Sequence, residues 1–171
     1  MRERRRSHED RRAQEFTAFV AGAAGRLLHA SLLLTGEPAA AEKLLTSALA
    51  RTYTVWDRLH GEDPYARTRQ EMATRFARTG RRHRHPCGGA LDRLTPQERL
   101  VVVLRLFEGV DEEQVAAMLG LPAERIRAVC TRSVATLRSS PAPSAAGGHA
   151  GAAGAGAAPA EEPAPLSEAS R

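Results

Sequence analysis

Three arginine residues near position 130 have the type and spacing that suit recognition of an acidic polymer. Arg125, Arg127 and Arg132 lie in the segment PAERIRAVCTRSVATLR. A guanidinium group is planar and permanently charged, and its donors match both a phosphate group and the major-groove edge of guanine. Arginines on a helix also commonly form a solvated face and nothing more. Their chemistry therefore depends on the elements that hold them.

Two helices joined by a tight turn are the elements that this part of the sequence predicts. The residues DEEQ at 111–114 are typical of a helix N-terminus, and Gly120 marks the end of that short helix. Pro122 opens a longer helix that runs to about Arg138. Its inward-facing residues are predicted to be Ile126, Cys130, Val134 and Leu137. This matches the helix-turn-helix plan, in which the second helix enters the major groove.

The opposite side of the second helix provides the candidate contacts to DNA. Arg125 lies in the first turn and would face base edges, whereas Arg127 and Arg132 would reach either bases or phosphates. Ala128 and Val129 have no hydrogen-bonding side chain, but both are able to contact a thymine methyl group. The predicted DNA-binding residues are Arg125, Arg127, Ala128, Val129, Thr131 and Arg132.

Helical periodicity extends through the rest of the sequence. The residues TPQE at 95–98 are a capping box with proline at the first helical position, and an apolar stripe follows as far as Phe107. Apolar residues recur at helical spacing over 16–34, and Glu37-Pro38 and Asp63-Pro64 each mark a helix start. Strict alternation of apolar and polar residues, as in a strand, is missing. The predicted fold class is all-α.

Composition sets the predicted boundaries. The charged start and the Ala/Pro/Gly/Ser-rich end cannot bury enough apolar surface to offset chain entropy. Proline, paired glycines and a charge run around residues 81–89 indicate a linker. The predicted parts are a disordered basic arm (1–13), a small helical bundle (14–81), a linker (82–89), a helix-turn-helix domain (90–138) and a disordered tail (139–171).

Charge and composition narrow the class of protein. The formal net charge is +5 and Lys43 is the only lysine, so an acidic partner is favoured, although a GC-rich genome also produces an arginine-rich chain. The sequence has no uninterrupted apolar run long enough to span a membrane, and two cysteines do not suggest a disulfide framework. We therefore expect a cytoplasmic protein that associates with the nucleoid.

Other kinds of chemistry have little support in the sequence. His83, His85 and Cys87 form an H-x-H-x-C run, but zinc needs about four ligands and no fourth is nearby in sequence. Nucleophile-elbow, phosphate-loop and metalloprotease motifs are missing, and Cys130 is predicted to be an inert core residue. We expect no metal, no cofactor and no enzymatic activity.

The segment LTPQERLVVVLRLFEGVDEEQVAAMLGLPAERIRAVCTRSVATLR resembles region 4 of extracytoplasmic-function (group 4) RNA polymerase sigma factors, in particular the actinobacterial sigma-E-like subgroup. The counterparts of the family's three helices here are residues 102–105, 112–120 and 122–138. The segment FTAFVAGAAGRLLHASLLLTGEPAAAEKLLTSALARTYTVWDRL, followed by DPYARTR, is similar to region 2. Together the two resemblances cover about residues 16–138.

The resemblance implies a function for each half of the chain. A region 2 of this kind binds core RNA polymerase and melts the −10 promoter element, and a region 4 anchors the −35 element. The implied polymerase-binding residues are Glu42, Lys43, Leu45 and Thr46. The implied partners are core RNA polymerase, promoter DNA and an anti-sigma factor, and the implied oligomeric state is a monomer.

Departures from the family pattern keep two alternatives open. Lys43 and Thr46 stand where the family usually has an acidic residue and a glutamine, and Phe76 is the only aromatic placed to stack on an unpaired base. The linker spans less than about 30 Å when fully extended. One alternative is a degenerate sigma-like protein that binds polymerase or an anti-sigma partner without opening promoters. The other is a stand-alone helix-turn-helix regulator, which would be a dimer on a palindromic site.

Overall fold

Three helices form the N-terminal half of the protein. In the computed structural model, which describes residues 2–59, 61–83 and 89–139, α1, α2 and α3 span Arg2–Thr35, Pro38–Thr54 and Pro64–Thr79. Gly36 has a φ of 74° and lies in the two-residue turn between α1 and α2. The Asp63 side chain caps α3 by accepting hydrogen bonds from two backbone N–H groups of its first turn. The helix starts predicted at both prolines are therefore confirmed.

Three further helices form the C-terminal half. They are α4 (Pro96–Val102), α5 (Glu112–Leu119) and α6 (Ala123–Arg138), and α4 continues into a π-helical turn at Val103–Phe107. The predicted capping box is present, since Thr95 and Glu98 exchange hydrogen bonds at the start of α4. Gly120 ends α5 in the left-handed conformation, with a φ of 65°. All described secondary structure is helical, so the predicted fold class is confirmed.

The two halves share one hydrophobic core. Helix α4 packs on α6, on α1 and on α3, and α5 also contacts α3. The fully buried side chains come from both halves and include Leu27, Met72, Phe76, Val101, Val115 and Ile126. The described residues up to Ser139 therefore belong to one compact unit. The division into domains at 14–81 and 90–138 stays a prediction.

The N-terminal arm differs from the prediction. Residues 2–13, predicted to be disordered, extend α1 as a continuous helix that starts at Arg2. A helix that is already nucleated grows by one hydrogen bond per added residue, and arginine and glutamate are good helix formers. Arg12 further anchors this extension through an ion pair with Asp57 at 3.2 Å and a hydrogen bond to the Tyr53 carbonyl. The predicted tail beyond Ser139 and residues 84–88 of the predicted linker lie outside the described residues.

Helix α1 is also long and apolar enough to cross a membrane by length and composition alone. Ala23, Leu27 and Leu34 of this helix are nevertheless buried in the core shared with the other helices. Arg26, on the same stretch, forms an ion pair with Glu108. These contacts place one face of α1 in the core, whereas Leu28 and Leu32 on the same stretch are exposed.

Candidate nucleic-acid interface

Helix α6 presents most of the predicted DNA-binding residues to solvent. Arg125, Arg127, Ala128, Thr131 and Arg132 are all exposed. Because α6 contacts both α4 and α5, its inward face is wide, and the opposite side is left open. Most of the predicted set is therefore brought together on one accessible surface.

Val129 is the exception among these residues. It is 6% exposed and packs into the core, so the prediction that it contacts DNA is contradicted by its burial. The buried face of α6 is centred on Ile126, Val129 and Ser133, whereas Cys130 is only half-buried. The predicted apolar face was rotated toward Cys130, because sequence periodicity cannot show that α6 packs on two helices at once.

Two glutamates hold Arg127 and Arg132 of α6. The Arg127 guanidinium contacts the Glu112 carboxylate at 2.9 Å through Nη2, and Nε donates a second hydrogen bond at 3.3 Å. Arg132 Nε donates to Glu98 at 3.4 Å. Both arginine side chains remain more than three-fifths exposed. Each arginine is thus positioned by a carboxylate from the preceding helices and still accessible to a ligand.

Glu98 connects a helix cap to the recognition helix. Its carboxylate accepts hydrogen bonds from the Thr95 backbone N–H and hydroxyl, and from Arg132. Burial works against ionisation of Glu98, but these hydrogen bonds outweigh it and hold the pKa below its ordinary value. Sequence analysis identified Glu98 only as part of a capping box and missed this second contact, whose partner is 34 residues away.

The predicted polymerase-binding residues lie on α2. Glu42, Lys43 and Thr46 are exposed and fall on one side of the helix. Leu45 is 7% exposed and packs in the core beside Leu44, so it is not available at that surface. The exposed surface therefore contains three of the four predicted residues. Lys43, which stands where the family usually has an acidic residue, is one of them.

Comparison with known proteins places this arrangement in a family. Residues 90–139, which contain α4, α5 and α6, match the family described as Sigma-70, region 4. An RNA polymerase sigma-E factor of Streptomyces coelicolor is 31% identical over 149 residues, covering 72% of this chain and 84% of that protein. The chain belongs to the extracytoplasmic-function sigma-factor family. Sigma-E factors of Streptomyces avermitilis and Streptomyces antibioticus are 29% and 31% identical, each over 72% of this chain and 83% of the relative.

Membership of this family confirms the predicted sigma-E-like resemblance and the predicted class of protein. The chain is a sigma factor with a role in transcription, and α5 and α6 form its DNA-binding helix-turn-helix. Sigma factors are regulatory DNA-binding proteins, and the exposed arginines of α6 suit that role.

The aromatic residues of the sigma factor are engaged in packing. Phe76 is 1% exposed, and its ring stacks on His83 with 5.4 Å between centroids. Burial, and then the nearby Arg99 charge, lower the pKa of His83. Tyr53 and Trp56 pack against Phe16, with centroid distances of 4.8 and 5.1 Å. In this arrangement Phe76 is not accessible to an unpaired base.

The predicted H-x-H-x-C run is only partly described. His83 belongs to the short helical turn Gly80–His83, whereas His85 and Cys87 lie outside the described residues. Within the described ranges, no group of three or more His, Cys, Asp or Glu side chains is arranged to hold a metal ion.

Cys130 of the sigma factor is expected to react slowly with thiol reagents. Burial raises the pKa of its thiol, and the positive charge of Arg105 offsets this only in part, so little thiolate forms at neutral pH. In a Cys87→Ser variant at about pH 7.5, we expect the disulfide reagent DTNB to modify the native protein at least about tenfold more slowly than the urea-unfolded protein. Equal rates would contradict the half-buried position of Cys130.

Proposed function

We propose that this sigma factor binds core RNA polymerase and directs transcription initiation at promoters whose −35 element is read by α6. The observation that carries the proposal is the exposed arginine face of α6, held by Glu98 and Glu112 within a region-4 helix-turn-helix. The proposed polymerase-binding surface is the outer side of α2 with Glu42, Lys43 and Thr46. We further propose that residues 14–81 and 90–138 act as two domains joined by the linker 82–89.

The positions of the α6 residues suggest separate roles at the DNA. Arg125 lies in the first turn and forms no ion pair within the described part of the chain, so its guanidinium is free to bind a guanine edge. Arg127 and Arg132 are tethered further along and suit phosphate oxygens. Ala128 and Thr131 lie between them and suit a thymine methyl group or a hydroxyl contact.

The wider setting of this function follows from the family and is part of the proposal. The sigma factor would work in the cytoplasm on nucleoid DNA, as a monomer on an asymmetric promoter, with an anti-sigma factor as its regulator. It would direct an enzyme without being one, and it would need no cofactor.

Transcription from a promoter library with purified core RNA polymerase tests the proposal. We expect specific run-off transcripts from the wild-type protein. Arg127→Ala and Arg132→Ala should each reduce them by about tenfold or more, because a hydrogen bond to a charged group is worth roughly 1.5–3 kcal/mol. Arg11→Ala, which removes an exposed arginine from the start of α1, is the charge-matched control and should have little effect. Equal loss in the control would show that net charge alone matters.

Other outcomes of the same experiment identify the alternatives. The buried position of Phe76 and the exposed Lys43 specifically favour the degenerate sigma-like protein. That protein would form a stable complex with polymerase and give no transcripts. A stand-alone regulator would not bind polymerase and would bind a palindromic site as a dimer, which analytical ultracentrifugation with and without DNA would reveal.

A further inference from the structure

Three side chains of α1 and α3 converge on one carboxylate from the C-terminal half. The Tyr65 hydroxyl donates a hydrogen bond to Glu108 at 3.0 Å. Arg26 approaches the same carboxylate at 3.7 Å and Arg69 approaches it at 3.6 Å. Glu108 directly follows the π-helical turn, and its side chain is 1% exposed. A carboxylate from one half of the protein is thus buried in a pocket of donors made by the other half.

Glu108 uses only part of the donor capacity of this pocket. A charge-assisted hydrogen bond normally measures about 2.7–2.9 Å, and both arginine distances to Glu108 are longer. Within the described residues, Glu108 Oε2 and Arg69 Nε have no hydrogen-bond partner. Arg26 also donates from Nη2 to the Phe107 carbonyl at 2.7 Å, so the unused donor capacity lies mainly on Arg69. An anion with more oxygen atoms in a tetrahedral arrangement would match this set of donors better.

The charged groups in direct contact with one another at this site carry a positive surplus, and Glu62 and Asp63 line the cavity beside Arg69. Arg67 is paired with Glu71 at 2.8 Å on the same helix, so Glu71 does not neutralise Arg26 or Arg69. Glu108 contributes one negative charge against two positive charges. Its charge and hydrogen bond add to the effect of burial, which is the largest cause, in raising the pKa of Tyr65 to about 12. Tyr65 therefore remains a neutral hydrogen-bond donor throughout the physiological range.

We propose that Arg26, Tyr65 and Arg69 form a phosphate-binding site for the DNA backbone, and that Glu108 occupies this site as an internal ligand until α4–α6 move away from α1–α3. The proposal rests on the DNA-binding function proposed above and adds a second contact surface to it. The ligand is a phosphodiester because its two anionic oxygens are joined by two ester oxygens in a tetrahedral arrangement, which a planar carboxylate lacks, and arginine forks suit phosphate. Glu108 then competes with DNA, so the closed arrangement weakens DNA binding.

Anisotropy measurements with a fluorescently labelled duplex test the proposal in the full-length protein. Glu108→Gln keeps the size of the side chain and removes its charge, and we expect about tenfold tighter binding. The dependence of affinity on salt should become steeper by about one unit for each additional phosphate that the protein neutralises. Glu71→Gln removes a similar charge from α3 without opening the pocket, and should change the affinity less than about twofold.

A double variant separates the site from a general charge effect. Glu108→Gln combined with Arg69→Ala should return DNA affinity close to that of the wild type. If the double variant binds as tightly as Glu108→Gln alone, or if Glu71→Gln tightens binding equally, the site is refuted. Tighter binding of Glu108→Gln to polymerase with unchanged DNA affinity would also refute it, since the ligand would then be an acidic protein surface.

Distance measurements keep the test valid if Glu108→Gln loosens the fold. Ala50 on α2 and Ala135 on α6 are exposed. Each is changed to cysteine and spin-labelled in a Cys87→Ser, Cys130→Ala background. The distance between the two labels reports on the separation of the halves. We expect one narrow distribution with Glu108 present and a longer, broader one with Glu108→Gln. Tyr65→Phe, which removes one hydrogen bond, should produce a smaller change in the same direction. An unchanged distribution in both variants would refute the role of Glu108.

Failure of this proposal is distinguishable from failure of the proposed function. If wild-type protein gives promoter-specific transcripts and Glu108→Gln does not alter DNA affinity, only the internal-ligand proposal is lost. If Arg127→Ala and Arg132→Ala have no effect on DNA affinity while Glu108→Gln raises it, the proposed α6 interface is refuted and the proposed phosphate site on α1 and α3 is supported.

Discussion

Phe76→Ala is expected to lower the free energy of unfolding by about 3–5 kcal/mol, measured by urea denaturation. The Phe76 ring is 1% exposed and lies in the shared core, with Leu100 of α4 in the same cluster. Its removal would leave a cavity between α3 and the C-terminal half and would take away the stacking contact with His83. A loss below about 1 kcal/mol would mean that Phe76 is not part of a tight core.

Phe76→Leu is the matched variant for function. It keeps an apolar side chain in the core and should cost less than about 1.5 kcal/mol, but it cannot stack on a base. If the sigma factor opens and uses Phe76 at melted DNA, transcription should fall by roughly fivefold or more with Phe76→Leu, since stacking is worth about 1–3 kcal/mol per base. If Phe76→Leu lowers transcription no more than its loss of stability explains, Phe76 contributes to core packing and not to contact with DNA.

Arg99→Leu is expected to destabilise the protein by about 3–5 kcal/mol, because it breaks a buried charged network. Arg99 is 1% exposed, and its guanidinium donates to the Leu34 carbonyl at 2.9 Å and to the Leu94 carbonyl at 3.4 Å. Asp92 lies 3.9 Å away. Leu34 belongs to the last turn of α1, where carbonyls lack helical partners and a positive charge is favourable. Without Arg99, that carbonyl and the Asp92 charge lose their buried partner.

Two control variants make the Arg99 result specific. Arg99→Lys keeps the charge but loses the forked donors, so we expect an intermediate loss of stability. Arg78→Ala removes an exposed arginine from α3 and should change the free energy of unfolding by less than about 0.5 kcal/mol. The experiment is a set of chemical denaturation curves with a common slope. If Arg99→Leu unfolds at the same midpoint as the wild type, the network does not stabilise the closed unit.

Local signals predicted the helices well. The capping box at Thr95, the aspartate cap before Pro64 and the glycine that ends α5 each have a short-range physical cause, and the structure contains all three. The exposed face of α6 was also predictable, because Ala128, Thr131 and Arg132 are spaced i, i+3 and i+4. These features depend on neighbours within about one helical turn.

The features that the sequence could not predict depend on packing between residues that are far apart in the chain. Val129 stands between Ala128 and Cys130, and only the positions of the partner helices show that it faces inward, as Leu45 does. Arginine and glutamate are rarely buried, so nothing in the sequence marked Arg99 or Glu108 as core residues. Their partners are 65 and 43 residues away, at Leu34 and Tyr65. Such pairs appear only when the halves are packed together.

The π-helical turn at Val103–Phe107 bears on how this chain evolves. The Glu108 backbone N–H donates to the Val103 carbonyl at 2.9 Å, five residues back, so the turn holds one more residue than an α-helical turn would. A single-residue deletion within this turn would restore an α-helical turn that covers about the same rotation, so Glu108 would keep its direction toward Tyr65 and Arg26. Among descendants of this chain, this turn could therefore become one residue shorter without loss of the internal ligand, whereas the same deletion in the α-helical part of α4 would turn Glu108 by about 100°.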